Sequence, residues 1–191
     1  MNAQSSPAIG PDKGWRIWWQ LTRPHTLTAG FVPVILGTVL ALGIARINLL
    51  LFAAMLVATL LIQAATNMFN EYYDYKRGLD TEHSVGIGGA IVRNGIKPKT
   101  VLHLAFAFFG AAMLIGVYIC SQSSWWIAVI GSVCMLVAYL YTAGPFPISS
   151  TPLGELISGF FMGVIIILIS FFIQTKTITW PIVFVSIPIM I

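Results

Sequence analysis

Between Arg23 and Arg46 this chain carries no charged residue, and charge is absent again from Ile47 to Asn70, from Thr100 to Gly154 and from Leu156 to Thr175. Each of the shorter runs is long enough to cross about 30 Å of hydrocarbon as a helix. With 58% of its 191 residues hydrophobic and 8% charged, the chain cannot clothe a soluble domain in polar surface, so a membrane is its expected solvent. Ser121, Gln122, Ser123 and Ser124 divide the long run into two helices, roughly Val101 to Cys120 and Trp125 to Tyr141. The expected fold is therefore all-α: a single transmembrane helical bundle over residues 1–191, with five complete spans and the start of a sixth near Trp180. The apolar character persists to Ile191, which reads as the N-terminal part of a longer protein.

Basic residues assign the faces. Lys13, Arg16 and Arg23 precede the first span, and Lys76, Arg77, Arg93, Lys97 and Lys99 lie between the second and third, whereas only Arg46 and Lys176 fall in the opposite loops. The positive-inside rule then makes residues 1–22 a cytoplasmic N-terminal segment and 76–99 a cytoplasmic loop of a multi-pass protein of the cell membrane. Residues 1 to 14 are polar and lack the apolar segment of a secretory signal. This topology explains the net charge of +4, and without basic and aromatic residues interleaved no nucleic-acid partner is expected. Cys120 and Cys134 are expected to be unpaired small hydrophobes. Gly159 and Gly163 form a small-xxx-small pair suited to close helix packing.

One polar stretch does not follow from membrane physics. The segment Asn67-Met-Phe-Asn70-Glu71-Tyr-Tyr-Asp74-Tyr-Lys76-Arg77-Gly78-Leu-Asp80 begins inside an apolar run and grows steadily more polar. On a helix, Asn67, Asn70, Glu71 and Asp74 recur every three or four residues and share one face. Gly78 is expected to end the helix, letting Asp80 turn back toward Asp74. Asn70, Asp74 and Asp80 would then offer one amide and two carboxylates, a hard-oxygen set for Mg2+ that leaves positions open for substrate phosphates. Lys76, Arg77 and Arg93 are cations suited to those phosphate oxygens. Taken singly, each acid would as readily pair with a neighbouring base at a polar helix end. Taken together, aligned polar groups starting within a span are costly unless they line a cavity. The loop Ser84-Val-Gly86-Ile-Gly88-Gly89 suits either close approach of backbone amides to an anion or a flexible turn.

The run Asn67 to Asp80, continued through Ser84-Val-Gly86-Ile-Gly-Gly to Arg93, resembles the first aspartate-rich motif of the UbiA-type intramembrane aromatic prenyltransferases. Leu21-Thr-Arg23-Pro-His-Thr-Leu27 and Tyr139-Leu-Tyr141-Thr-Ala-Gly144-Pro145-Phe-Pro147 extend the resemblance over nearly the whole chain. The spacing of Asp80, two residues beyond the commoner pattern, is similar to that of the family's menaquinone branch. The resemblance implies about nine helices around a central cavity, and a second aspartate-rich motif that this sequence does not reach. A chain ending at Ile191 is accordingly expected to be inactive by itself. It further implies Mg2+-dependent transfer of a polyprenyl group from polyprenyl diphosphate to 1,4-dihydroxy-2-naphthoate, with loss of carbon dioxide, in menaquinone biosynthesis.

On that reading Asn70, Asp74 and Asp80 hold the metal. Arg23, Asn67, Lys76, Arg77 and Arg93 serve the substrate, and Tyr139 and Tyr141 shield the carbocation, unless the two tyrosines are simply an interfacial aromatic belt. The competing readings are a secondary transporter, whose acids would belong near the bilayer midplane, and a prenyltransferase with another aromatic acceptor. Prenyl chain length and oligomeric state are not legible.

Overall fold

A computed structural model describes residues 14–80, 89–144 and 146–190. Lys13, Pro145 and the Ser84–Gly88 part of the glycine-rich loop lie outside them. Among the described residues the fold is all-helical: α1 (Trp15–Leu21), a 3-10 turn at Pro24–Leu27, α2 (Thr28–Ala41), α3 (Leu49–Arg77), α4 (Pro98–Gln122), α5 (Trp126–Leu140), α6 (Gly154–Gly159), α7 (Ile166–Thr175) and α8 (Trp180–Ser186). A π-helical stretch, Phe160–Ile165, joins α6 to α7 in one rod. The starts follow from local chemistry. Asn48 accepts hydrogen bonds from the backbone N–H groups of Leu50 and Leu51 and so caps α3, and Pro98 opens α4, where its missing N–H is no loss.

Among the described residues four helical stretches are long and apolar enough to span a membrane: Pro24–Ala41, Leu49–Arg77, Pro98–Gln122 and Gly154–Thr175. The fourth expected span, Trp125 to Tyr141, corresponds to α5, which has 15 residues. At about 1.5 Å per residue it falls short of the hydrocarbon thickness. The second span is longer than its uncharged run suggested, because α3 continues through Glu71 and Asp74 to Arg77. The last turns of one rigid helix thus carry the polar stretch.

α3 lies along α4, and α2 along α7. The second contact is close: a Cβ on Gly37 would stand 2.5 Å from the Ile167 carbonyl oxygen and 2.8 Å from Cβ of Ser170, so only glycine permits the approach. Large apolar side chains such as Leu114 and Trp126 point outward, as a lipid-facing surface requires. At one end of the bundle the Asn48 N–H donates to Gln174 Oε1 at 2.8 Å, Gln174 Nε2 donates to the Asn48 carbonyl at 3.2 Å, and Lys176 Nζ donates to the Gln122 carbonyl at 2.7 Å. These bonds gather the Arg46 and Lys176 loops at the end opposite Arg23, Arg77 and Arg93.

Candidate active site

The basic end is organised by the way α3 stops. Gly78 adopts φ 71°, and the N–H groups of Gly78 and Leu79 return to the carbonyls of Tyr75 and Asp74 at 3.0 Å each. This is the glycine-dependent helix stop anticipated at that position, and it reverses the chain so that Asp80 follows immediately. Asp80 Oδ2 is buried and has no hydrogen-bond partner among the described residues. The Asp80 carboxyl is raised above its ordinary pKa, first by desolvation and then by the negative charges of Glu71 and Asp74; Arg23 and Arg93 oppose the rise. Acids that repel one another around a partnerless oxygen form a set that an added cation would relieve.

Asp74 Oδ1 receives Arg77 Nη2 at 3.0 Å, while Arg77 Nη1 donates to the Thr142 carbonyl at 2.9 Å. Arg77 therefore ties the end of α3 to the segment following α5, and its Nε is buried without a partner among the described residues. Asn67 is buried, and its amide nitrogen donates to the Thr22 carbonyl and to Thr26 Oγ1, both at 2.8 Å. Those bonds employ its donors in docking the N-terminal segment, which leaves its carbonyl oxygen as the atom it can turn to a ligand. Arg23 sits at φ 50°, a left-handed conformation unusual for a non-glycine residue, directly before Pro24.

Below this rim lies a cavity of about 530 Å³. Arg23, Asn67, Asn70, Tyr141 and Thr142 line its polar end, and Met55, Ile119 and Ile127 its apolar depth. The face shared by Asn67 and Asn70 thus opens on a cavity, as a polar stripe within a span required.

The two tyrosines part company. Tyr141 lines the cavity. Tyr139 is not among the lining residues; its ring packs edge-on against Phe69 and its hydroxyl meets that of Tyr73 at 2.7 Å. Lys76 is exposed on the last turn of α3, two positions from Asp74 and so about 200° around the helix from it. Arg93 stands over Gly89, whose φ of 121° and lack of a side chain make room for the guanidinium.

Glu71 was placed on the polar face by its spacing but given no role. In the structure it is the most buried acid of the site, 1% exposed, with Oε1 accepting from the backbone N–H groups of Gly89 at 2.8 Å and Ile91 at 3.2 Å. Its other oxygen faces Arg23 at 3.7 Å. Among the described residues no three His, Cys, Asp or Glu side chains are grouped so as to hold a metal by themselves.

The helical bundle thus joins a largely apolar cavity to a rim of charged and oxygen-bearing side chains. The chain belongs to the UbiA prenyltransferase family, whose profile matches residues 30–191. It is 65% identical over 176 residues to the 1,4-dihydroxy-2-naphthoate octaprenyltransferase of Bacillus subtilis (strain 168), a match covering 92% of this chain and 57% of that protein. It is 28% identical to the protein of the same name in Haemophilus influenzae, covering 85% of this chain and 56% of the relative. Similarity extends to the 2-carboxy-1,4-naphthoquinone phytyltransferase of Synechocystis, 26% identical over 90% of this chain and 57% of the relative. The chain thus spans a little over half the length of the curated relatives it matches.

Proposed function

We propose that the protein transfers a polyprenyl group from polyprenyl diphosphate to 1,4-dihydroxy-2-naphthoate in menaquinone biosynthesis, with residues 1–22 and 76–99 facing the cytoplasm. What supports this reading above all is the union of a polar α3 terminus with an apolar cavity directly beneath it. An isoprenoid tail fits the cavity, and its diphosphate meets the rim. The similarity to enzymes whose names carry the same acceptor points the same way.

Asn70, Asp74 and Asp80 would hold Mg2+, which when bound supplies positive charge against the departing diphosphate. Arg77 and Arg93 flank those carboxylates and Arg23 reaches the diphosphate from the cavity side, while Asn67, its amide N–H groups spent on Thr22 and Thr26, serves the substrate by docking the segment that carries Arg23. Lys76, on its long flexible stem, serves the outermost oxygens. The allylic C–O bond breaks with its electron pair going to the diphosphate. Tyr141 presents its ring to the cavity, where the negative face stabilises the cation and the apolar walls exclude water. A ring carbon of the acceptor then bonds to the allylic carbon, and loss of carbon dioxide and a proton restores aromaticity. Tyr139 contributes from behind, by fixing Tyr73 through their paired hydroxyls.

The test is Mg2+-dependent transfer from a labelled polyprenyl diphosphate in membranes carrying the protein, with 1,4-dihydroxy-2-naphthoate compared against other aromatic acids. Product formed only with a different aromatic acid would reassign the acceptor. Ion-coupled uptake into vesicles without any prenylated product would favour a secondary transporter.

A further inference from the structure

Glu71 is adjacent to the metal-site residue Asn70, yet its own oxygens are already engaged. One takes two backbone N–H groups, from Gly89 and Ile91, and the other faces the guanidinium of Arg23. A buried carboxylate is tolerated only when its partners are in place, and here they come from three stretches of chain. Arg23 lies before α2 in a strained left-handed conformation, Glu71 in α3, and the Gly89–Ile91 turn leads into α4. Ala90 and Ile91 are buried in one cluster with Leu21 and Met68, so the turn is pinned by packing on one side and by Glu71 on the other. Arg93 is bonded back to this turn through its N–H, which donates to the Gly89 carbonyl at 2.8 Å.

We propose that Glu71 is a positioning residue: by clamping Arg23 and the Gly89–Ile91 turn together, it holds the guanidinium groups of Arg23 and Arg93 beside the metal-binding carboxylates, where the diphosphate docks. Asp74 follows Glu71 by three residues and so lies on the same face of α3, which agrees with that placement. This inference rests on the proposed prenyl-transfer function and deepens it, since it names the residue that prepares the anion site without touching the anion.

Glu71→Gln retains an amide oxygen for the Gly89 and Ile91 N–H groups but withdraws the charge from Arg23, whereas Glu71→Ala removes both functions. The experiment measures the KM for the allylic diphosphate, the KM for the aromatic acceptor and kcat in membranes carrying the intact enzyme, normalised to folded protein. The diphosphate KM is expected to rise about 3- to 10-fold in Glu71→Gln and about 10- to 100-fold in Glu71→Ala, with kcat less affected and the acceptor KM unmoved. Adding Glu71→Gln to Arg23→Gln is expected to cost little beyond Arg23→Gln alone, because the two residues act as a pair. Should Glu71→Ala fail to fold, Glu71→Gln and the double variant carry the test. A reduced folded yield with both KM values unchanged, or full additivity with Arg23→Gln, overturns the positioning role. Wild-type enzyme that fails to bind the diphosphate in the presence of Mg2+ refutes the prenyl-transfer reading and the inference with it. Binding by wild type that Glu71→Gln and Glu71→Ala leave undiminished overturns the inference alone.

Discussion

The two ends of this bundle handle buried polarity in opposite ways. At the Arg46 and Lys176 end, Asn48 and Gln174 exchange hydrogen bonds in both directions and the Lys176 ammonium closes on a carbonyl. Burial there lowers the Lys176 pKa, the shift expected of a cation that has lost water. Among the described residues, the buried side-chain atoms without a partner toward that end are neutral hydroxyls, those of Ser123 and Ser170. At the opposite end the buried atoms without a partner among the described residues are the hydroxyl of Thr142, a carboxylate oxygen of Asp80 and the Nε of Arg77, the last two belonging to charged groups. A fold can close its polar groups completely when stability is all that is asked of them. Charge left open at one end is affordable only where something else completes it, and a metal-bound diphosphate has the required signs.

The largest expected effect separates the ends most sharply. Asp74→Ala should lower prenyl transfer by at least about 10³-fold, as the loss of a ligand for charge on a leaving group does, while the protein still inserts in the membrane. Retained activity would exclude Asp74 as an essential ligand. Asp80→Asn should also suppress transfer, yet raise the thermal midpoint of the metal-free protein, because it removes a charge that Glu71 and Asp74 repel.

The pH dependence has a definite sign. Asp80 has a folded-state pKa above its unfolded value, so the folded form binds a proton that the unfolded form has already released. Metal-free protein should therefore be more stable below the ordinary carboxylate pKa and lose that increment as pH rises through the raised value. Thermal unfolding of wild type and Asp80→Asn across that window measures it, and identical profiles would contradict it.

Substitutions away from the open end should show the reverse pattern, with stability lost and binding intact. Gly37→Ala forces a methyl group against the Ile167 carbonyl and should destabilise the α2 and α7 pairing by about 1–3 kcal/mol. The smallest effect is expected from Gln174→Ala, about 1–2 kcal/mol from two lost hydrogen bonds, with the diphosphate KM unchanged. A changed KM in either variant would mean that the two ends are coupled.

How much of this was legible in the sequence depended on how local the cause was. The spans are set by the absence of charge, the stop at Gly78 by a single backbone conformation, and the shared face of Asn67 and Asn70 by helical spacing. Tyr139 and Tyr141 lie two positions apart at the end of α5, where the helical turn sends them to different sides; deciding which one meets the cavity required the neighbouring helices to be in place. Glu71 was harder still. Its partners are backbone N–H groups 18 and 20 residues away, and side-chain chemistry does not announce which amides a carboxylate will find. Gly37 likewise reads as one more small residue until α7 is laid against α2.

The central claim is that the oxygens at the end of α3 bind a divalent cation together with a diphosphate. Electron–nuclear double resonance with Mn2+ in place of Mg2+ tests it directly, using membranes that carry the protein and an allylic diphosphate. Coupling of the bound Mn2+ both to phosphorus and to the carboxylate carbons of protein labelled with 13C-aspartate, the carbon coupling weakened in Asp74→Ala, is the expected result. Manganese coupled to phosphorus alone beside wild-type protein, as in the free metal–diphosphate complex, would contradict it.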